Sequence, residues 1–520
     1  MEAQFADLSL IPEESYKFDQ YAPKRYGTLG RKVELITNYF RMSVRPMIVY
    51  HYNIEIIPMD TREGGDDAKK VVKRKRIPKE INVIVFDELI STNRNVFKTE
   101  PVFDGEKNIY STSSLEFTTY EKNFQVQITE GGGRKSTFRV RITTPNDSHQ
   151  IDLSQINNNT TTDFKVCETQ ALDIILKNGP RRFKLSIGMN LFLRTWDLRK
   201  LDPRRQESIR SHLGENKEIG FGFYQSARMT ESGLMLNIDR AVIVFNKGGP
   251  IVRIIENIMS DFKSTYHNKV MFSLARDRWD DRDKKAVEQE LKMLKMQVNH
   301  ISYRPKFTIH RFSQVSIKGV FFEENQADGS QRRTSVFDYF NRTYADYLKQ
   351  HNLVLNPNLP CIQVGRDRPK YFPLEVCELI DDQHYTKKLK PKLQGDMTRC
   401  AGQQKPADRF REIKSNLDAV IADSARNGKN YLNDFGVKID SNFVKVTSRI
   451  LDQPKLVYRS ETAFNPGSDG AWDMGRSKQQ FNNSINLGKF HPLFLLIQLF
   501  GLLALSSYFF NFFHVQELNG

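Results

Sequence analysis

The stretch NLVLNPNLPCIQVGRDRPKYFPLEVCELI, residues 352–380, decides the fold when it is read with the rings just before it, Tyr339, Phe340, Tyr344 and Tyr347. Aromatic faces interleaved with Arg and Lys are what a protein needs to hold an unpaired nucleic-acid end, stacking on bases and neutralising phosphate. Upstream, KMQVNHI, KFTIHRF and VSIKGVFFEE read as three short strands. A helical segment, YFNRTYADYLKQH, then precedes the strand-like LPCIQV. Strands with a helical insert predict a small OB-like β-barrel that takes single-stranded ends in the cleft between insert and barrel.

The rest of the chain is long enough for further modules. Its 520 residues suit about three or four compact units, each with its own core. Lys plus Arg outnumber Asp plus Glu by 78 to 62, a net charge of +16 that favours phosphate-bearing partners and also fits an anionic membrane or an acidic substrate. The four cysteines, Cys167, Cys361, Cys377 and Cys400, have no CxxC spacing and no nearby His cluster. That argues against a metal site and a disulfide framework and for a reducing compartment, and no cofactor is expected. The start, MEAQFADLSLIPEES, is acidic and has no apolar signal core, so a cytoplasmic location is expected.

Residues 1–30 read as a polar, flexible arm. VELITNYF and MIVYHYNIEII alternate like strands and predict a hairpin turning at SVRP. The run AKKVVKRKRIPKE holds seven Lys or Arg between Lys69 and Lys79, read as a solvated charged face or as a nuclear-import or RNA-contact patch. FQVQITE and FRVRITT form a second hairpin through Gly131, Gly132 and Gly133, and TQALDIILKNG forms a helix that Gly179 caps. Strands are expected from Glu218 to Phe245, with helices over PIVRIIENIMSDF from Pro250, Asp277–Lys295, residues 401–425 and Asn430–Phe435, then the strand FVKVTSRIL. Leu493–Phe513 is an uncharged run of 21 residues, long enough for one bilayer crossing at about 20 residues. The fold class is therefore α+β and multi-domain.

Four stretches of this sequence resemble Argonaute proteins, the small-RNA-guided silencing factors. They are YGTLGRKVELITNYFRM with VYHYNIEI, PVFDGEKNIYST, GFGFYQSAR with GLMLNIDRAVIVF, and LPCIQVG with KYFPLEVCELI and YTKKL. Their order implies an antiparallel-sheet N domain at 31–185, linker 1 at 186–250, a PAZ domain at 251–380, a helical linker 2 at 381–475 and a divergent tail at 476–520. The resemblance implies a PAZ pocket that binds the 3′ end of a guide RNA, siRNA or miRNA. In the family a His and two Tyr hold the phosphate between the last nucleotides; here they would be His300, Tyr339 and Tyr344, whose donors suit oxygens that only accept. Lys306 and Phe307 stand where the family has a basic residue followed by Tyr. Phe322 or Phe321 would stack on the terminal nucleotide, and Tyr371 and Phe372 would close the wall. The span from Tyr339 to Pro360 is longer than the family pattern, and a shifted register would use Tyr347 and His351.

Argonautes follow linker 2 with a MID domain and a PIWI domain whose carboxylates carry Mg²⁺. The resemblance fades after Ala471-Trp472-Asp473-Met474, and residues 475–520 hold one acidic residue, Glu517. Two-metal cleavage needs several convergent carboxylates, so slicing by this sequence is not expected. The hydrophobic segment 493–513 has three readings: a membrane tail anchor, a buried helix, or sequence read past a lost splice boundary. Silencing-complex proteins are further expected partners. Two alternative readings stay open, a scaffold or decoy that binds no RNA and a part of a full-length slicer.

Overall fold

The computed structural model describes residues 27–59, 77–115, 120–129, 135–145, 149–157, 166–230, 233–264, 270–326, 329–366, 368–402, 404–425, 428–457 and 463–464. The basic run up to residue 76, the three glycines at 131–133, the motif at 471–474 and the hydrophobic segment 493–513 lie outside them, as does nearly all of the N-terminal arm.

Fourteen residues form β1 (Arg31–Val44), and β2 (Ile48–Pro58) follows. The expected hairpin between them does not form. β2 lies in an antiparallel sheet whose order is β3-β4-β2-β6-β5, with β7 also on β2. Its other strands are β3 (Val102–Phe103), β4 (Asn108–Ser111), β5 (Glu121–Thr129), β6 (Lys135–Thr143) and β7 (Gln150–Asp152). Along β5 and β6, Phe124, Val126, Ile128, Phe138, Val140 and Ile142 are buried while the residues between them face water or the sheet rim. That period of two gives the sheet one apolar face. The helix α1 (Lys79–Thr92) covers it with Val85, Phe86, Leu89 and Ile90.

Gly179 does not end α2, which runs Val166–Phe183 and carries Pro180 inside it. A Cβ at Gly179 would stand 2.5 Å from the Ser424 Cα, so the glycine is there for close helix packing and not for a left-handed cap. After α2 come β8 (Leu185–Ile187), β9 (Asn190–Phe192), α3 (Thr195–Leu198), α4 (Pro203–Ile209) and β10 (Arg210–Gly214). β11 (Lys217–Thr230) and β12 (Gly233–Asn246) make an uninterrupted antiparallel ladder from Lys217↔Asn246 to Thr230↔Gly233.

The next module begins with β13 (Gly249–Pro250) and α5 (Ile251–Lys263), which starts after Pro250. Ile251, Ile254, Ile255, Ile258 and Met259 form the buried stripe of α5, and each contributes about 1.5–3 kcal/mol of burial free energy. α6 (Asp281–Leu291) is capped by Asp280, whose side chain accepts the Asp283 N–H at 2.8 Å. β14 (Lys295–Val298) and β15 (Lys306–Ser316) lead into the hairpin of β16 (Phe321–Asn325) and β17 (Gln331–Ser335). Two short helices, α7 (Val336–Thr343) and α8 (Ala345–Gln350), break at Tyr344. β18 (Pro360–Val364), β19 (Lys370–Pro373) and β20 (Cys377–Leu379) complete a sheet of order β13-β20-β14-β15-β18-β19.

The helical insert is thus present, and the expected small OB-like barrel takes the form of a curled sheet that stays open. The sheet curls through irregularities in β15, between Ile309 and Arg311 and between Phe312 and Ser316. Its two outer strands do not pair. β13 is two residues long, β19 four, and each ends in a proline, which has no N–H to give a closing ladder.

β21 (Gln383–His384) rejoins β12, and α9 (Pro391–Gly402), α10 (Pro406–Ser424) and α11 (Tyr431–Asp434) follow. The helix expected over 401–425 is therefore α10, and α9 adds one that the sequence pattern did not signal. β22 (Val437–Ile450) is a strand partner of β1. Thr37 donates to the Val444 carbonyl at 2.9 Å, and Phe40 and Phe443 pack at 5.0 Å. β23 (Leu456–Val457) and β24 (Ala463–Phe464) pair with each other. Among the described residues no helix is long and apolar enough to cross a membrane.

Candidate nucleic-acid interface

The expected site residues converge through local capping and strand pairing. Ser335 caps α7, accepting the Asp338 N–H at 3.1 Å and donating to the Asp338 carboxylate at 2.6 Å. That cap aims Tyr339 across the insert. Phe322, opposite Thr334 in the β16–β17 hairpin, meets the Tyr339 ring edge-on at 5.2 Å. Tyr344 sits where α7 ends, its N–H still bonded to the Phe340 carbonyl at 3.0 Å.

His300 lies at the centre. Its ring is 4.6 Å from Tyr344, 5.0 Å from Phe340 and 6.0 Å from Phe372. Phe372 in turn packs on Phe307 at 5.0 Å, and Tyr339 lies 6.0 Å from Tyr344. One continuous aromatic surface therefore joins Phe307, Phe372, His300, Tyr344, Tyr339 and Phe322. Its far end is open, because Phe321 and Phe322 are both exposed.

The structure does not bring Lys306 or Tyr371 into this surface. Lys306 is exposed, and alternation along β15 turns it away from Phe307. Tyr371 is half-buried against the module core, one residue out of phase with Phe372. The alternative pair, Tyr347 and His351, pack on one another with tilted rings at 4.4 Å.

Two residues that the sequence reading did not assign belong here. Phe340 is buried at the base and touches His300, Tyr339 and Tyr344. Lys370 carries its ammonium 5.9 Å from the Phe307 ring centroid, supplying the charge expected from Lys306. The signal for it lay in strand order: β15 pairs with β18 and β18 with β19, where Lys370 sits opposite Val364. Arg333 also lies over a ring, 4.9 Å from the centroid of Phe321.

The surface presents neutral donors with cations at its edge. Burial drives the His300 pKa down from 6.5 to about 4, so its imidazole is neutral at pH 7. Its Nδ1 is buried with no hydrogen-bond partner. Burial, and then the neighbouring Tyr339, push the Tyr344 hydroxyl up, which keeps it a donor. A phosphate oxygen needs such donors, and the rings offer faces for bases of any sequence. Among the described residues no group of His, Cys, Asp and Glu is placed to hold a metal ion.

Comparison with known proteins identifies the modules. Residues 31–176 match the N-terminal domain of argonaute, 201–247 the Argonaute linker 1 domain, 261–398 the PAZ domain and 408–458 the Argonaute linker 2 domain. The chain is 27% identical over 492 residues to Protein argonaute 12 of Oryza sativa subsp. japonica, covering 92% of this chain and 42% of that protein. It thus spans less than half the length of that curated relative. The crystal structure of Kluyveromyces polysporus Argonaute with a guide RNA has the same fold, with a TM-score of 0.54 at 17% identity over 89% of this chain and 50% of that one. The chain belongs to the Argonaute family and carries its N, linker 1, PAZ and linker 2 modules.

Proposed function

We propose that this protein binds small guide RNAs of the silencing machinery through their 3′ ends, in the pocket built on His300, Tyr339 and Tyr344. The observation that carries the reading is the joined aromatic surface with an unpartnered imidazole nitrogen at its base and Lys370 at its rim. The terminal base stacks on the exposed Phe322 side. The hydroxyls of Tyr339 and Tyr344 and the His300 imidazole donate to the last phosphate, and Lys370 offsets its charge. Recognition by stacking and phosphate contact reads an end and not a sequence.

Within residues 1–520 the proposed activity is binding without cleavage. Two-metal cleavage needs carboxylates gathered around paired cations, and the aromatic pocket offers none. The test is fluorescence anisotropy with a short RNA bearing a free 3′ overhang. Tyr339→Ala and Tyr344→Ala should each weaken binding by about tenfold, the effect of about 1–3 kcal/mol per lost stacking or phosphate contact. Unchanged affinity in both variants would refute the pocket assignment, and Mg²⁺-dependent cutting of a paired target would refute binding without cleavage.

A further inference from the structure

A cleft of about 670 Å³ lies among α1, α2, the turn from β3 to β4 and the β8–β9 hairpin, a volume suited to a small organic ligand. None of its lining belongs to the aromatic pocket. Lys177 and Arg181, one turn apart on α2, and Arg194 after β9 contribute three cations to it.

Four of the five carboxylates of the cleft already have other partners. Asp104 accepts the backbone N–H groups of Glu106, Lys107 and Asn108 at 2.7, 2.7 and 3.1 Å. Asp87 takes Arg182 at 2.7 Å, and Glu106 takes Lys79 at 3.2 Å. Asp173 accepts from the Ala227 N–H at 2.6 Å and the Ser226 hydroxyl at 3.3 Å. Glu80, exposed at the start of α1, is the remaining one.

Lys177, Arg181 and Arg194 form no ion pair with these, although Asp173 attracts Lys177 and Asp104 attracts Arg181 from farther away. Lys177 donates to the Gly188 carbonyl and Arg194 to the Lys184 carbonyl at 3.4 Å. Arg181 lies 5.9 Å from the Phe103 ring centroid, and its Nε is buried without a partner. The crowding has a measurable sign: burial, followed by repulsion from Arg181 and Lys79, lowers the Lys177 pKa to about 8. An anion entering the cleft would relieve that repulsion.

Other parts of the lining are apolar and in reach of solvent. Ile84 is 49% exposed and Met189 37% exposed, with Val83 and Ile174 beside them. Unpaired cations next to an open apolar surface fit a phosphate group joined to a flat, weakly polar body.

We infer that this cleft binds a mononucleotide-sized phosphate monoester, its phosphate held by Lys177, Arg181 and Arg194 and its base lying on Ile84 and Met189. The inference is independent of the 3′-end pocket. Titrate the full chain with AMP, inorganic phosphate and adenosine in separate calorimetric experiments. AMP should bind saturably and more tightly than either fragment. Arg194→Gln and Lys177→Gln should each weaken AMP by about tenfold, the loss of one charge-assisted hydrogen bond, while leaving RNA 3′-end affinity unchanged. Met189→Asp, at an exposed position that cannot disturb folding of the core, should also weaken AMP. The inference is overturned if AMP gives no saturable heat, if adenosine binds as tightly as AMP, or if all three variants keep wild-type affinity.

Discussion

At the seam where linker 1 meets the PAZ module and linker 2, buried and half-buried cations have carboxylates. Arg210, only 6% exposed, holds Glu218 at 2.8 Å and Asp382 at 2.9 Å. Lys217 holds Glu290 at 3.0 Å, and Arg409 grips both oxygens of Asp239 at 2.8 and 2.6 Å. In the aromatic pocket Lys370 and Arg333 lie over rings without an ion pair, His300 keeps a buried nitrogen unpartnered, and Phe321 and Phe322 face solvent. Polar groups satisfied internally hold modules together, while groups left open are available to a ligand. The contrast separates the residues that support the structure from those that the proposed function uses.

The largest effect should come from breaking the seam. Arg210→Ala removes the ion partner of the partly buried Glu218 and leaves Asp382 with Thr195 alone, and should lower stability by about 3–5 kcal/mol in a denaturant titration. A loss below about 1 kcal/mol would mean that water already screens the pair.

Acid should act next, through the pocket. His300 is near 6.5 unfolded and about 4 folded, so between those values the unfolded chain binds the extra proton. Its contribution to stability is complete above pH 6.5 and is lost as pH falls toward 4, at about 1.4 kcal/mol per unit. Comparing the wild type with His300→Gln across that window isolates this slope, and equal slopes would contradict it. Bound RNA phosphate should raise the His300 pKa, which imidazole NMR shifts would report.

Gly179→Ala should cost about 1–3 kcal/mol, because its methyl meets the Ser424 backbone where α2 and α10 touch. A neutral outcome in thermal melts would show that the two helices can separate freely. Lys370→Ala should be the mildest, weakening RNA by about twofold to fivefold at high exposure and without changing stability. Equal binding in Lys306→Ala and the wild type would complete the contrast between the two lysines.

Much of the architecture could be read in advance because it is local. FQVQI and FRVRI write the alternation of β5 and β6 directly, and YFNRTYADYLKQH marks the helical insert. What could not be read depends on distance along the chain. One partner of β1 is β22, about 400 residues later, so a nearby strand looked like its hairpin mate. Gly179 looked like a cap because sequence shows a glycine and not the helix pressed against it. His300, Phe307, Phe322, Tyr339, Tyr344 and Phe372 do come together, whereas Lys306 is turned outward by a strand phase that only the sheet defines.

The central claim concerns an end, so the direct measurement compares RNAs that differ only in having one. Competition between a short linear RNA and the circular RNA of the same sequence should show the linear form preferred by about tenfold or more, with Tyr339→Ala abolishing the preference. Equal affinity of the wild type for both forms would contradict a 3′-end pocket and leave the aromatic surface without the role assigned to it.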